Sequence, residues 1–219
     1  MGSSFNQFPV LPVTGREKDA VEGWKHIAIE LKEALDRIPE GRKVVCIETY
    51  QGVYLVDLKA RFSEILLPQT VLESGEWTKS EGEIRELTQA DVTDDRVFGY
   101  MSRLRMEDLM DPEKFKKTEK TISEAKDSLI LLFGYGASLI WKDPDVLIYA
   151  DMPRWEIQQR MRGNKVNNLG IRNLEESAEL KYKRAYFVDW RICDRRKKES
   201  FPKWDYVLDS TLKLSPKMV

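Results

Sequence analysis

The sequence predicts an α/β fold: a three-layer, doubly wound, mostly parallel sheet with helices on both faces. Short apolar runs rich in β-branched residues recur at 43–50, 128–133, 145–150 and 185–189. They lack the alternation of a half-solvated strand and so read as strands covered on both sides. Helical patterns lie between them, and interleaved strands and helices are what parallel strands joined by helical crossovers require.

The elements follow in order. Over 19–38, Val21, Trp24, Ile27, Ala28, Leu31, Leu35 and Ile38 fall at helical spacing with one face toward a core. Pro39 and Gly41 end that helix, because proline cannot continue the ladder and glycine accepts the turn. The run Val44, Val45, Cys46, Ile47 marks the first strand, and after Gly52 the positions Val53, Leu55, Val56, Leu58 and Phe62 predict a second helix. Residues 79–88 are polar with weak periodicity, whereas 111–125 read as a charged helix with Asp111 as cap and Pro112 in the first turn. Both read as solvated surface elements. Residues 204–210 suggest a final strand, and 214–219 carry no clear stop signal. A tail over 1–18, its Gly2-Ser3-Ser4 start set aside, and one domain over 19–219 are expected.

Composition narrows the function. The chain has 219 residues, 42% hydrophobic and 33% charged, enough for one well-buried core. Lys and Arg number 36 against 37 Asp and Glu, so no global field draws it to nucleic acid or an anionic membrane. Cys46 and Cys193 have no partner at metal-ligand spacing, which argues against a disulfide framework or zinc knot and for a reducing compartment. The sequence holds no apolar run of membrane-spanning length and no signal-peptide pattern at 1–9, so a cytoplasmic location is expected.

A strand, a tight glycine turn and a helix form the setting in which backbone N–H groups hold phosphate. That setting is Glu48-Thr49-Tyr50-Gln51-Gly52-Val53-Tyr54. A working P-loop reads GxxxxGK followed by Ser or Thr, its lysine reaching the β and γ phosphates. Here Val53 or Tyr54 stands in the lysine position, depending on register. Glu48 adds negative charge where phosphates would sit. The turn is either a plain strand-to-helix connection or a remodelled site, in which Glu48, Thr49, Gln51 and Gly52 bind sugar or nucleoside hydroxyls.

Ligands in open α/β sheets lie at the carboxyl ends of the strands. Those ends are expected at Gly134-Tyr135-Gly136, Asp151-Met152 and Asp189-Trp190. The two glycines fit a positive-φ turn around Tyr135, and Asp151 fits an N-cap for the helix that Pro153 opens. Arg154, Gln158 and Arg162 share a helical face, Glu156 and Arg160 form an i,i+4 pair, and Arg191, Arg195 and Arg196 cluster near Asp194. Arginine forks suit phosphate. Asp94-Asp95 and Asp108/Asp111 could bind Mg²⁺ but are equally common at helix starts. His26 is the single histidine, so no His-based metal site is expected.

The segments 94–101, 133–139, 149–160 and 182–191 together resemble one family, the N-terminal region of the long class I mannose-6-phosphate isomerases of Bacteroides-type bacteria. The resemblance runs from about Phe8 to Val219. It implies a P-loop, nucleoside-kinase-like domain preceding a cupin-type isomerase half, which interconverts mannose 6-phosphate and fructose 6-phosphate and would alone carry zinc. Arg154 and Arg160 then fall where lid or phosphate arginines would be. The absent lysine points to a non-catalytic module that binds or regulates, sensing a sugar phosphate or nucleotide or holding a homo-oligomer, with the isomerase half as partner. An active nucleoside or sugar kinase using ATP and Mg²⁺ is the alternative.

Overall fold

The computed structural model describes residues 12–16, 19–126 and 128–219; most of the tail expected over 1–18 lies outside the described residues. Its sheet is built from β1 (Val21–Glu22), β2 (Lys43–Thr49), β3 (Thr70–Glu73), β4 (Leu129–Gly134), β5 (Val146–Asp151), β6 (Tyr206–Asp209) and β7 (Lys217–Met218). The order is β1-β7-β6-β5-β2-β4-β3. From β3 to β6 all neighbours pair parallel, and at one edge β7 pairs antiparallel with both β6 and β1. The central β2 is buried almost throughout, with Ile47 opposite Phe133 and Ile148.

The helices are α1 (Trp24–Asp36), α2 (Leu55–Leu66), α3 (Glu81–Val92), α4 (Pro112–Glu124), α5 (Ala137–Ile140), α6 (Arg154–Arg162), α7 (Ala178–Arg184) and α8 (Trp190–Ser200). The crossover from β2 to β3 steps toward one edge, and those from β3 to β4, β4 to β5 and β5 to β6 step back. Right-handed connections therefore place α2 on one face and α4, α5 and α8 on the other. α1 joins α2, with Trp24 set edge-on against Phe62 at 5.8 Å. This is the three-layer, doubly wound arrangement that the interleaving predicts.

Several elements differ from the sequence expectation. Residues 185–189 form no strand; they are a single π-helical turn joining α7 to α8. The run is apolar because Ala185 and Val188 face the core while Tyr186 and Phe187 wall an outer groove. The edge strand β3, only four residues long, had no sequence counterpart. The stretch 79–88 opens α3, which Ser80 and Glu83 start with a capping box and which buries Ile84 and Thr88. Asp111 caps α4 through Glu113 and Lys114 N–H groups, as its sequence indicates. β7 falls in the unpunctuated 214–219 stretch, and Gly23 N–H donates to Pro216 O at 2.8 Å beside it.

Candidate functional site at the strand ends

The turn after β2 is short: Tyr50 to Tyr54 carry the chain into α2, whose N-cap Tyr54 makes no side-chain capping bond. Gly52 holds φ at +98°, and a Cβ there would lie 2.7 Å from Ile157 Cγ2. Both the backbone angle and the close approach of α6 demand glycine. Gln51 bridges two neighbours, donating to Asn167 O at 2.8 Å and accepting from Trp190 Nε1 at 3.0 Å. The turn thus presents a neutral amide that is already tied down.

Glu48 does not project into the phosphate position. Its carboxylate accepts from Gly136 N–H at 2.7 Å, Ser138 N–H at 2.8 Å and Ser138 Oγ at 2.6 Å, and Arg196 donates to that same hydroxyl. Burial raises its pKa, while Arg196 and the hydrogen bonds from Ser138 and Gly136 oppose the rise. The carboxylate locks the start of α5 onto β2, so the sequence expectation of a repulsive or ligand-binding Glu48 is corrected: its lone pairs are spent inside the sheet. Gly134 and Gly136, at φ of +118° and +76°, form the expected turn around Tyr135.

Arg160 is likewise internal rather than a phosphate arginine. Only 1% exposed, it donates to Gly52 O at 3.0 Å, Ser210 O at 2.9 Å and Thr211 O at 3.2 Å, pairs with Glu156 at 2.8 Å, and lies over the Tyr54 ring. It ties the β2 turn to the end of β6. Arg195 does the same elsewhere, donating to Ser102 O and Leu104 O at 2.7 Å each. Asp151 caps no helix: α6 starts at Arg154 behind Pro153, and Asp151 instead pairs with Lys197.

Helix α8 covers this end of the sheet. Trp190 reaches Gln51, and Asp194 accepts from Tyr50 OH at 2.8 Å and from Arg154 Nη2 at 2.5 Å. Arg196 reaches Ser138, Lys197 reaches Asp151, and Arg191 stands 3.7 Å from Asp194. Nearly every charge predicted for a phosphate is thereby matched within the protein. Burial pushes the Cys46 and Cys193 thiols well up, so both stay protonated.

A crevice of about 330 Å³ opens beside the turn, walled by Thr49, Gln51, Tyr54, Tyr135, Asn167 and Lys165 among others. Thr49 Oγ1 is buried there without a hydrogen-bond partner. The structure therefore gathers Thr49, Gln51, Gly52 and Tyr135 at one crevice and leaves Glu48, Asp151, Arg154, Arg160, Arg191 and Arg195 outside its lining. Asn167 and Lys165, on the α6–α7 connection, were not anticipated; a polar loop without periodicity gives no sequence signal. Among the described residues, no three or more His, Cys, Asp or Glu side chains come together as a metal site. The aspartates at 95, 108 and 111 accept bonds from nearby backbone N–H groups instead. Among the described residues, no helix is long and apolar enough to cross a membrane.

The layered parallel sheet and the turn after its central strand define an α/β domain with a P-loop position and no P-loop lysine. The chain belongs to the family described as a domain of unknown function (DUF8485), which matches residues 23–219. No curated protein matches it significantly. Among solved structures it is similar to a candidate fructose transport system kinase from Silicibacter sp. TM1040, at 15% identity and a TM-score of 0.48, covering 80% of this chain and 94% of that one. It is also similar to shikimate kinase from Bacteroides thetaiotaomicron, at 10% identity and a TM-score of 0.40, covering 77% and 87%.

Proposed function

We propose that this domain is a kinase-like scaffold that does not transfer phosphoryl groups and instead binds a hydroxyl-rich small molecule, a sugar monophosphate being the first choice, as a regulatory module. One observation carries the reading: the turn at the P-loop position has Val53 or Tyr54 where catalysis needs a lysine, and its one amide side chain, Gln51, is tethered to Asn167 and Trp190. The crevice beside it suits hydroxyls, because Thr49, Gln51, Asn167 and Tyr135 give it a neutral polar lining. Lys165, in the same lining and in no ion pair among the described residues, supplies one positive charge for a phosphate. The resemblance to the N-terminal region of mannose-6-phosphate isomerases supports mannose 6-phosphate and fructose 6-phosphate as the ligands to try first, with a cupin-type isomerase half as the partner.

The experiment is a thermal-shift series with both sugar phosphates, their parent sugars, and ATP with and without Mg²⁺. A ligand at a hundred times its Kd stabilises by about 2.7 kcal/mol. A sugar phosphate is expected to raise Tm, and Thr49→Val, nearly isosteric at a hydroxyl without a partner, is expected to abolish the rise without unfolding the protein. Turnover of Mg·ATP with any sugar or nucleoside would overturn the proposal, as would the absence of any shift across the series.

A further inference from the structure

A second cavity, sharing no lining residue with the strand-end crevice, lies between α6, α7, the π-helical turn and the 96–97 loop. It is larger, about 510 Å³, within the range of small-ligand sites. Its walls combine arginine with aromatic rings. Arg96, Arg162 and Lys183 line it against one carboxylate, Glu179, which leaves a formal charge of +2. Arg96 and Arg162 are exposed and in no ion pair among the described residues, while Lys183 is held by Thr93 O and Asp95 O and contributes its field.

The aromatic wall is ordered by the backbone. Tyr182 and Tyr186 stack across one turn with centroids 6.2 Å apart and planes at 24°, and Phe187 meets Tyr186 edge-on at 5.1 Å. Arg191 backs Tyr186 from outside the cavity at 5.5 Å. Tyr182 also meets Trp190 edge-on at 5.5 Å, and both tyrosines remain more than a third exposed, which leaves part of the stacked pair's surface open to a ligand. The π-helical turn that sets Tyr186 and Phe187 here is a backbone feature that recurs at functional sites.

We infer that this cavity binds a nucleoside monophosphate, its base on the Tyr182–Tyr186 wall and its phosphate between Arg96 and Arg162. A flat base suits exposed tyrosine faces and arginine planes. A phosphate monoester, carrying close to two negative charges at neutral pH, matches the net +2 of the lining. Guanidinium forks hold phosphate oxygens in pairs, which a lone lysine cannot do.

The test is calorimetric titration of the full chain with adenosine and uridine 5′-monophosphates, with ribose 5-phosphate and the free nucleosides as controls. The monophosphates are expected to bind, and the double variant Arg96→Ala/Arg162→Ala, at exposed positions, to bind at least tenfold more weakly. Tyr186→Ser is expected to weaken the nucleotides and leave ribose 5-phosphate unchanged. Thr49→Val, in the other crevice, is expected to leave nucleotide affinity untouched, so this site and the proposed sugar-phosphate site fail separately. The inference is overturned if no monophosphate binds in the millimolar range, if ribose 5-phosphate binds as well as the nucleotides, if Thr49→Val rather than the arginine variant removes binding, or if an acidic peptide or single-stranded oligonucleotide binds there instead.

Discussion

The strand-end region and the α6–α7 groove are built from the same residue types and use them in opposite ways. At the strand ends, arginine and lysine are matched by carboxylates and carbonyls of the protein itself: Arg160 by three backbone oxygens, Lys197 by Asp151, Arg154 by Asp194. In the groove, Arg96 and Arg162 face solvent beside exposed rings. Residue type alone therefore says little about a cation's role; what decides it is whether the chain folds a carbonyl or carboxylate back onto it. A buried guanidinium costs heavily unless nearly every donor is used, which makes Arg160 a clamp.

Loss of that clamp is expected to have the largest effect on the fold. Arg160→Met strands the Gly52, Ser210 and Thr211 carbonyls and is expected to cost about 3–5 kcal/mol in urea unfolding. A loss as small as that of a surface substitution would mean that the turn and β6 hold without it.

Next is the pH dependence of Asp189, which accepts from Asn168 Nδ2 and Leu169 N–H and faces Arg184 at 3.7 Å. Burial pushes its pKa up to about 6, against the lowering influence of Arg184. The folded state then holds this proton more tightly than the unfolded chain does, so the stabilisation is full below about pH 4 and is lost as pH rises through 6. Measured against Asp189→Asn, the wild type is expected to lose about 2 kcal/mol of relative stability between pH 4 and pH 7 and to stay level above that. A flat difference would show that Arg184 and the hydrogen bonds balance burial, and a rise with pH that they outweigh it.

Gly52→Ala places a Cβ against Ile157 at a positive φ and is expected to cost about 1–3 kcal/mol. The smallest effect belongs to the groove: Arg162→Ala is expected to shift stability by less than about 0.5 kcal/mol, because its guanidinium only leans over Trp155 in solvent. A large loss there would erase the contrast between the two regions.

Much of the layered sheet was legible because periodicity and end signals are local. β2, β4 and β5 follow from uninterrupted apolar runs, and α4 from Asp111 and Pro112. The π-helical turn at 185–189 was misread as a strand because a short apolar run fits either period, and the neighbouring helical turns decide between them. α3 carried a usable signal, the Ser80 and Glu83 capping box, ahead of the widely spaced Ile84 and Thr88. The absent P-loop lysine was plain in the sequence. The fate of Glu48 was not: its partners Gly136 and Ser138 lie some 90 residues away, and only the pairing of β2 with β4 brings them together.

The strand order also constrains how the chain assembles as it is made. β3 leaves the ribosome before β4, yet among the described residues its only neighbour in the sheet is β4, which comes to lie between β3 and β2. β3 must therefore wait through the synthesis of α3 and α4, tethered to β2 through α2, until residues 129–134 insert and pair on both sides at once. Closing a loop of that length before any pairing rewards it is slow. Ribosome-arrested chains ending before residue 129 should leave the amides of 70–73 open to exchange, and emergence of β4 should protect both flanking strands in one step.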